Sequence, residues 1–177
     1  MFARFYLYCL LTVFVPVAAA DSTAEIDANA DKALAHLLDY AQGADELLGK
    51  AAGVLIFPDV VKMGFGVGGQ YGEGVLRVNN KASSYYSTAG ASFGLQLGAQ
   101  FKSEVIVFLT EDSLQSFIHS QGWEVGVDGS VALIELGAGG KIDSREISAP
   151  VIGFVFSNKG LMYNLTLEGS KITRLAR

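Results

Sequence analysis

Residues 91–102 read Ala-Ser-Phe-Gly-Leu-Gln-Leu-Gly-Ala-Gln-Phe-Lys, and every second residue of this stretch is apolar. A strict period of two is the pattern of a β-strand with one apolar and one polar face. Residues 62–78 alternate in a similar way, with glycines on one face and large apolar side chains on the other. Asn79-Asn80-Lys81, between the two segments, is typical of a turn. The sequence therefore predicts two long strands joined by a tight turn.

The composition bounds the class of protein that these strands belong to. Half of the 177 residues are hydrophobic and 18% are charged, which excludes an intrinsically disordered chain. The formal net charge of −5 argues against a general nucleic-acid-binding protein, which needs a basic surface. Glycine is unusually frequent, at 21 residues, whereas proline occurs three times. Glycine within strands indicates a strongly curved sheet or barrel in which another backbone lies close.

Helical patterns flank and interrupt the strands. After a capping serine, Ser22, apolar residues recur at helical spacing and predict an amphipathic helix of about 20 residues. The residues of this stripe are Ile26, Ala30, Ala33, Leu34, Leu37, Leu38 and Ala41. Residues 44–52 predict a second, short helix, and Thr110-Glu111-Asp112 begins a third, which is inserted between strands.

The remaining segments predict further strands. Residues 54–57 form a short apolar run stopped by Pro58-Asp59, and residues 105–109 are apolar on both faces and therefore central. After the third helix we expect a hairpin with its turn at Asp128-Gly129, a polar loop over residues 137–145, and a β-meander over residues 151–175. The fold class is therefore α+β, with the N-terminal helix packed on a curved, glycine-rich, mainly antiparallel sheet or barrel.

The first twenty residues have the features of a secretory signal peptide. Arg4 precedes an apolar run over residues 5–17, and Ala18-Ala19-Ala20 provides a cleavage signal before Asp21. We expect residues 21–177 to form one domain and to be exported to the periplasm or secreted, with a peripheral association with the envelope membrane. Cys9 is the only cysteine, so the mature chain has no disulfide to stabilise it.

Two short motifs match catalytic or nucleotide-binding patterns without their context. Residues 64–69 fit G-x-G-x-x-G and residues 90–94 fit G-x-S-x-G, but a strand pattern continues through both, where each motif requires a helix to follow. Two histidines and scattered carboxylates do not form a metal-binding pattern. We therefore expect no catalytic residue, no metal and no cofactor.

Linked motifs along most of the chain resemble the signature of the SYLF domain family. The motifs are residues 53–58, 64–76, 86–92, 94–100, 122–128, 153–162, 167–169 and 171–173. The resemblance implies a non-enzymatic lipid-binding module. In eukaryotic members it implies phosphoinositide binding, and in a yeast branch actin binding as well. A signal peptide followed by one bare domain is most similar to the bacterial members, for which actin is not an expected partner.

The resemblance implies a phospholipid or a membrane surface as the partner, with an envelope protein as a further one. Eukaryotic members use a basic N-terminal segment, whereas residues 21–42 carry five acidic residues and one lysine here. Lipid contact is therefore apolar, through the helix, or basic, through the strands. The candidates are Ile26, Leu34, Leu37, Leu38, Lys62, Arg77, Lys81 and Lys102. Each of the four basic residues also has a simpler interpretation, as a strand residue exposed to solvent.

Three other functions remain open from the sequence. The predicted export, the glycine content and the alternating strands are also compatible with a structural outer-membrane β-barrel. The predicted helices and the runs 105–109 and 151–156, which are apolar on both faces, are not. A protein-interaction module is the second alternative, and a hydrolase that uses Ser92 is the third. The helical stripe itself is expected either to pack on the sheet or to enter a membrane interface.

Overall fold

The computed structural model describes residues 21–120, 122–134, 142, 148–157, 160–161, 167 and 169–177. The predicted signal peptide and nearly all of the predicted loop at 137–145 lie outside these residues. The described elements form an α+β fold with a curled half-barrel sheet, as expected from the sequence. In chain order they are α1 (Thr23–Tyr40), α2 (Ala44–Lys50), β1 (Gly53–Val78), β2 (Lys81–Phe108), α3 (Glu111–His119), β3 (Trp123–Glu124), β4 (Ala132–Leu133), β5 (Val151–Ser157), β6 (Gly160–Leu161) and β7 (Lys171–Arg174).

The centre of the fold is a long antiparallel ribbon of β1 and β2. Its pairing runs from Gly53 opposite Phe108 to Val78 opposite Lys81. Asn79 and Asn80 both have positive φ angles, 52° and 59°, as a two-residue turn of type I′ requires. Asparagine tolerates this conformation better than most residues, and the predicted turn is confirmed.

The predicted end of the first strand at Pro58-Asp59 is wrong. β1 continues through these residues, and the register shifts between Phe57 and Val60. Proline has no N–H to donate to a neighbouring strand, so a bulge is one of the few places in a strand that accepts it. The bulge changes the course of the strand without ending it.

Beyond this bulge the ribbon crosses over itself. A Cβ added at Gly72 would lie 2.9 Å from the carbonyl oxygen of Asp59, and one at Gly74 would overlap the carbonyl oxygen of Ile56. Glycine is required at both positions because no side chain fits between the two backbones. This confirms the predicted close approach of backbone to a glycine face. We call the part of the ribbon that lies between the two crossing segments, residues 61–71 and 89–101, the ribbon loop.

Shorter strands extend the ribbon on both sides. The order is β3-β7-β2-β5-β4, with β1 paired to β2 and β6 paired to β5. Residues 105–108 lie between β1 and β5, so the predicted central strand is confirmed.

Two predicted strand pairings are wrong. Asp128-Gly129 does not join a hairpin, because β3 pairs with β7 whereas β4 pairs in parallel with β5. The Asp128 carboxylate instead accepts a hydrogen bond from the Glu124 backbone N–H at 2.7 Å, which closes a local loop. β5 and β6 pair as the predicted meander requires, but β7 lies on the other side of the sheet, between β2 and β3.

The sheet buries apolar side chains on both faces. Val105 and Val107 belong to a cluster covered by α1, which packs on the sheet through Ile26, Ala30, Ala33 and Leu37. The alternate residues, Ile106 and Phe108, belong to a second cluster with α3. In that cluster the centroid of the Phe117 ring lies 4.9 Å from that of Phe108 and 5.6 Å from that of Trp123. Ser22 and Thr110 cap α1 and α3 through their hydroxyl oxygens, as predicted.

Candidate functional site

A groove of about 470 Å³ lies between the two N-terminal helices and the turn of the ribbon. Its apolar wall is formed by leucines of α1 and α2 and by the start of β1, and its polar wall by the end of the ribbon. The lining side chains used below are Leu34, Leu38, Leu48, Val54, Arg77, Asn79 and Asn80. This volume falls within the range of small-molecule sites.

The rotation of α1 on the sheet explains why the groove is apolar. Ala33 and Leu37 face the sheet and are buried, so the adjacent positions, Leu34 and Leu38, lie about 100° further around the helix. Leu38 is 44% exposed and Leu34 is half-buried. The single stripe predicted from the sequence is therefore two stripes, one that packs on the sheet and one that lines the groove.

Arg77 is held at the polar wall by acidic residues of α1. Its Nη1 lies 2.7 Å from Asp31 Oδ1, and its Nη2 donates to the backbone oxygen of Asp27 at 3.2 Å. The Tyr85 hydroxyl donates to Asp27 Oδ2 at 3.0 Å. Burial, and then this bond to the Asp27 carboxylate, raises the pKa of Tyr85. The charge of Arg77 is thus balanced within the protein.

The interpretation of Lys102 as a solvated strand residue is wrong. Lys102 is 4% exposed and pairs with Glu104, which is 1% exposed, at 2.7 Å between Nζ and Oε1. Burial raises the pKa of Glu104, whereas the Lys102 ammonium acts to lower it. Lys102 is buried because it lies on the same strand face as Ile106, which belongs to the second cluster, with α3. The positive charge of Lys102 is therefore paired with Glu104 in the protein interior.

The other candidate residues are dispersed. Ile26 and Leu37 are buried between α1 and the sheet. Lys62 is half-buried on the ribbon loop, where burial, followed by the like charge of Lys102, lowers its pKa. Lys81 is exposed next to the ribbon turn. The structure therefore brings together Leu34, Leu38 and Arg77 of the eight candidates at the groove, and the other five lie outside it.

The sequence does not identify Leu48, Val54, Asn79 or Asn80 as lining residues of the groove. It predicts only that Leu48 lies in the second helix, Val54 in a strand, and Asn79 and Asn80 in the turn. The two asparagines of the turn are a partial indication of the groove in the sequence. The turn places their amide groups at the end of the ribbon, next to the helices.

The two matched motifs continue as strand, as predicted. Ser92 pairs with Gly68, and residues 64–69 are paired along β1. The His119 Nδ1 lies 2.8 Å from the backbone oxygen of Gln115 on the exposed side of α3. Across the described part of the chain, no three His, Cys, Asp or Glu side chains gather as metal ligands would.

Within the described ranges, no helix is both long enough and apolar enough to span a lipid bilayer.

Comparison with known protein families finds a match in the second half of the chain. Residues 89–176 match the family model described as Ysc84, Las17-binding protein actin regulator. The match begins in the ribbon loop of β2 and includes α3 and all the later strands. No curated protein matches the chain. The match over residues 89–176 confirms the resemblance to the Ysc84, or SYLF, domain family that the sequence motifs predict.

Proposed function

We propose that the protein is an exported, non-enzymatic domain that binds phospholipid at a membrane surface. The family is one of lipid-binding or actin-regulating domains, which supports a membrane or protein partner. The observation that carries the choice of lipid is the groove, because leucine side chains form one wall and hydrogen-bonding groups the other. An acyl chain fits the first surface and a polar headgroup the second.

The charges around the groove favour apolar over electrostatic binding. Residues 21–42 carry a net charge of −4 from five acidic residues and one lysine. Arg77 is bound to Asp31, so it attracts an anionic headgroup only weakly. A basic segment near a membrane contributes about 1 kcal/mol per cation, and this term is screened by salt. We therefore expect lipid binding that changes little with ionic strength.

Leu37 and Leu38 provide a matched test of the groove because they are neighbours on α1 with different environments. Leu38→Asp is expected to weaken liposome flotation about tenfold, an effect of roughly 1.4 kcal/mol, and to leave the thermal midpoint nearly unchanged. Leu37→Asp places a charge in the core and is expected to lower the free energy of unfolding by about 3 kcal/mol or more. Flotation and thermal denaturation of both variants measure the two effects.

Leu38→Met, which keeps an apolar side chain of similar volume, is the control and should float like the wild type. Equal flotation of Leu38→Asp and wild type would exclude the groove as the lipid site. A large fall in the midpoint of Leu38→Asp would instead show that this leucine supports the fold.

Export is proposed from the charged, apolar and small-residue segments of residues 1–20. The mass of protein recovered from the medium or the periplasm should correspond to a chain that begins at Asp21. A recovered mass that includes Cys9 would refute cleavage at this site. Since actin is a cytoplasmic protein, export also makes lipid a better target than the actin regulation in the family name.

A further inference from the structure

We propose that the ribbon loop inserts one apolar face into the interfacial region of a lipid bilayer. The inference rests on the proposed lipid function and adds a second membrane contact, distinct from the groove. Met63, Tyr71 and Phe101 are 60%, 50% and 64% exposed, which is unusual for side chains of this size. Val61 pairs with Phe101 across the ribbon. Val61, Met63 and Tyr71 also line one cavity of about 510 Å³. We call Val61, Met63, Tyr71 and Phe101 the ribbon patch.

The described side chains on the opposite face of the ribbon loop are polar. Lys62 pairs with Gln100, so both alternate with the residues of the ribbon patch along their strands. Gln70, which precedes Tyr71, donates from Nε2 to the Ser170 hydroxyl at 2.7 Å. This bond joins the polar face to the body of the domain. Among its described side chains, the ribbon loop is therefore apolar on one face and polar on the other, and a residue of the polar face bonds to the body of the domain.

The distribution of charge indicates a membrane as the occupant of the ribbon patch. The chain contains 18 acidic residues, but none lies in residues 60–72 or 89–102. The charged residues of these two segments are Lys62 and the buried Lys102. The ribbon loop is thus a part of an acidic protein that an anionic lipid surface does not repel. A soluble partner protein would be expected to meet charged or hydrogen-bonding groups around such a patch.

Tyr71 sets the depth of insertion. Its hydroxyl donates to Glu73 Oε1 at 2.9 Å, and Glu73 Oε2 lies 2.7 Å from Arg177 Nη2. The ring therefore lies between the apolar patch and a charged pair at the base of the ribbon loop. Tyrosine is favoured at the level of lipid headgroups, where its ring and its hydroxyl meet different environments. The geometry places Met63 and Phe101 on the lipid side and the largely buried Glu73–Arg177 pair on the protein side.

The test compares two sets of exposed apolar side chains in the purified protein. Met63→Ser combined with Phe101→Ser is expected to reduce flotation with phosphatidylcholine vesicles at least tenfold, without a change in thermal midpoint. Val127→Ser is the matched control, because Val127 is 73% exposed and lies outside the ribbon loop. It should float like the wild type. Adding phosphatidylserine to the vesicles should change neither ranking.

Insertion has a signature that surface docking lacks. Met63→Trp should give fluorescence that shifts to shorter wavelength on vesicles and is quenched by brominated acyl chains. The native Trp123 is buried and supplies a constant background. Unquenched fluorescence from vesicle-bound Met63→Trp protein would overturn the inference.

The remaining outcomes separate this inference from the proposed function. Wild-type protein that does not float would overturn both. Wild-type and doubly substituted proteins that float equally would overturn the inference and leave the groove as the lipid site. A wild-type dimer that the double substitution converts to a monomer, with flotation unchanged, would assign the ribbon patch to a second copy of the chain instead.

Discussion

Glu104→Ala is expected to lower the free energy of unfolding by about 3–5 kcal/mol, among the largest losses for a single substitution in this protein. The variant leaves the Lys102 ammonium buried, with its carboxylate partner 2.7 Å away removed. A buried charge without a partner loses its hydration and has no ion pair to compensate for that loss. Chemical denaturation with a linear extrapolation to water measures the loss.

The double variant Lys102→Met, Glu104→Leu is the control for this pair. Its side chains are apolar and of similar length, so we expect a free energy of unfolding equal to or above that of the wild type. A loss below 1 kcal/mol for Glu104→Ala would mean that Lys102 reaches water in solution. Lys102 would then again be a candidate for contact with lipid headgroups.

Gly74→Val is expected to destabilise the protein by about 3 kcal/mol, the upper end of the range for overpacking. The new Cβ would overlap the carbonyl oxygen of Ile56 and lie 2.5 Å from the ring of Phe57. Both neighbours belong to the buried part of β1, so neither moves without separating the ribbon at its crossing. The denaturation midpoint in urea measures the change.

Gly49→Ala is the matched control for glycine replacement. A Cβ at Gly49 meets no atom within 4 Å, and the residue is exposed in α2. Alanine is favoured over glycine in a helix by roughly 0.5–1 kcal/mol, so this variant should be neutral or slightly more stable. A Gly74→Val protein that matches Gly49→Ala would show that the two halves of β1 do not touch.

Features that depend on neighbouring residues could be predicted from the sequence. The strand over residues 91–102, the Asn79-Asn80 turn and the caps at Ser22 and Thr110 depend on local sequence, and each prediction is confirmed. The partners of the short strands are not local. β3 and β4 are two residues long, and their pairing with β7 and β5 is set by the rest of the sheet.

The candidate site was predictable to the same extent. Helical periodicity identified the leucines of α1, but the angle at which α1 packs on the sheet decides that Leu37 is buried and Leu38 lines the groove. Lys102 belongs to the polar face of residues 91–102, and nothing in the alternation indicates that the curl of the sheet buries that end of the face. The exposure of the ribbon patch could not be predicted either, because apolar strand faces are usually covered by other parts of the protein.

The self-crossing of the ribbon also bears on how the chain folds. Gly53 and Phe108 are far apart in sequence, yet each pair that forms from the Asn79-Asn80 turn brings the next pair together. Pairing can therefore proceed along the ribbon by closing short loops, which carry a small entropic penalty. The contact of Gly74 with Ile56 belongs to a different stage, because it joins two parts of one strand that ribbon pairing alone does not bring together. Gly74 therefore reports on the bending of the ribbon, and Asn79-Asn80 on its initiation.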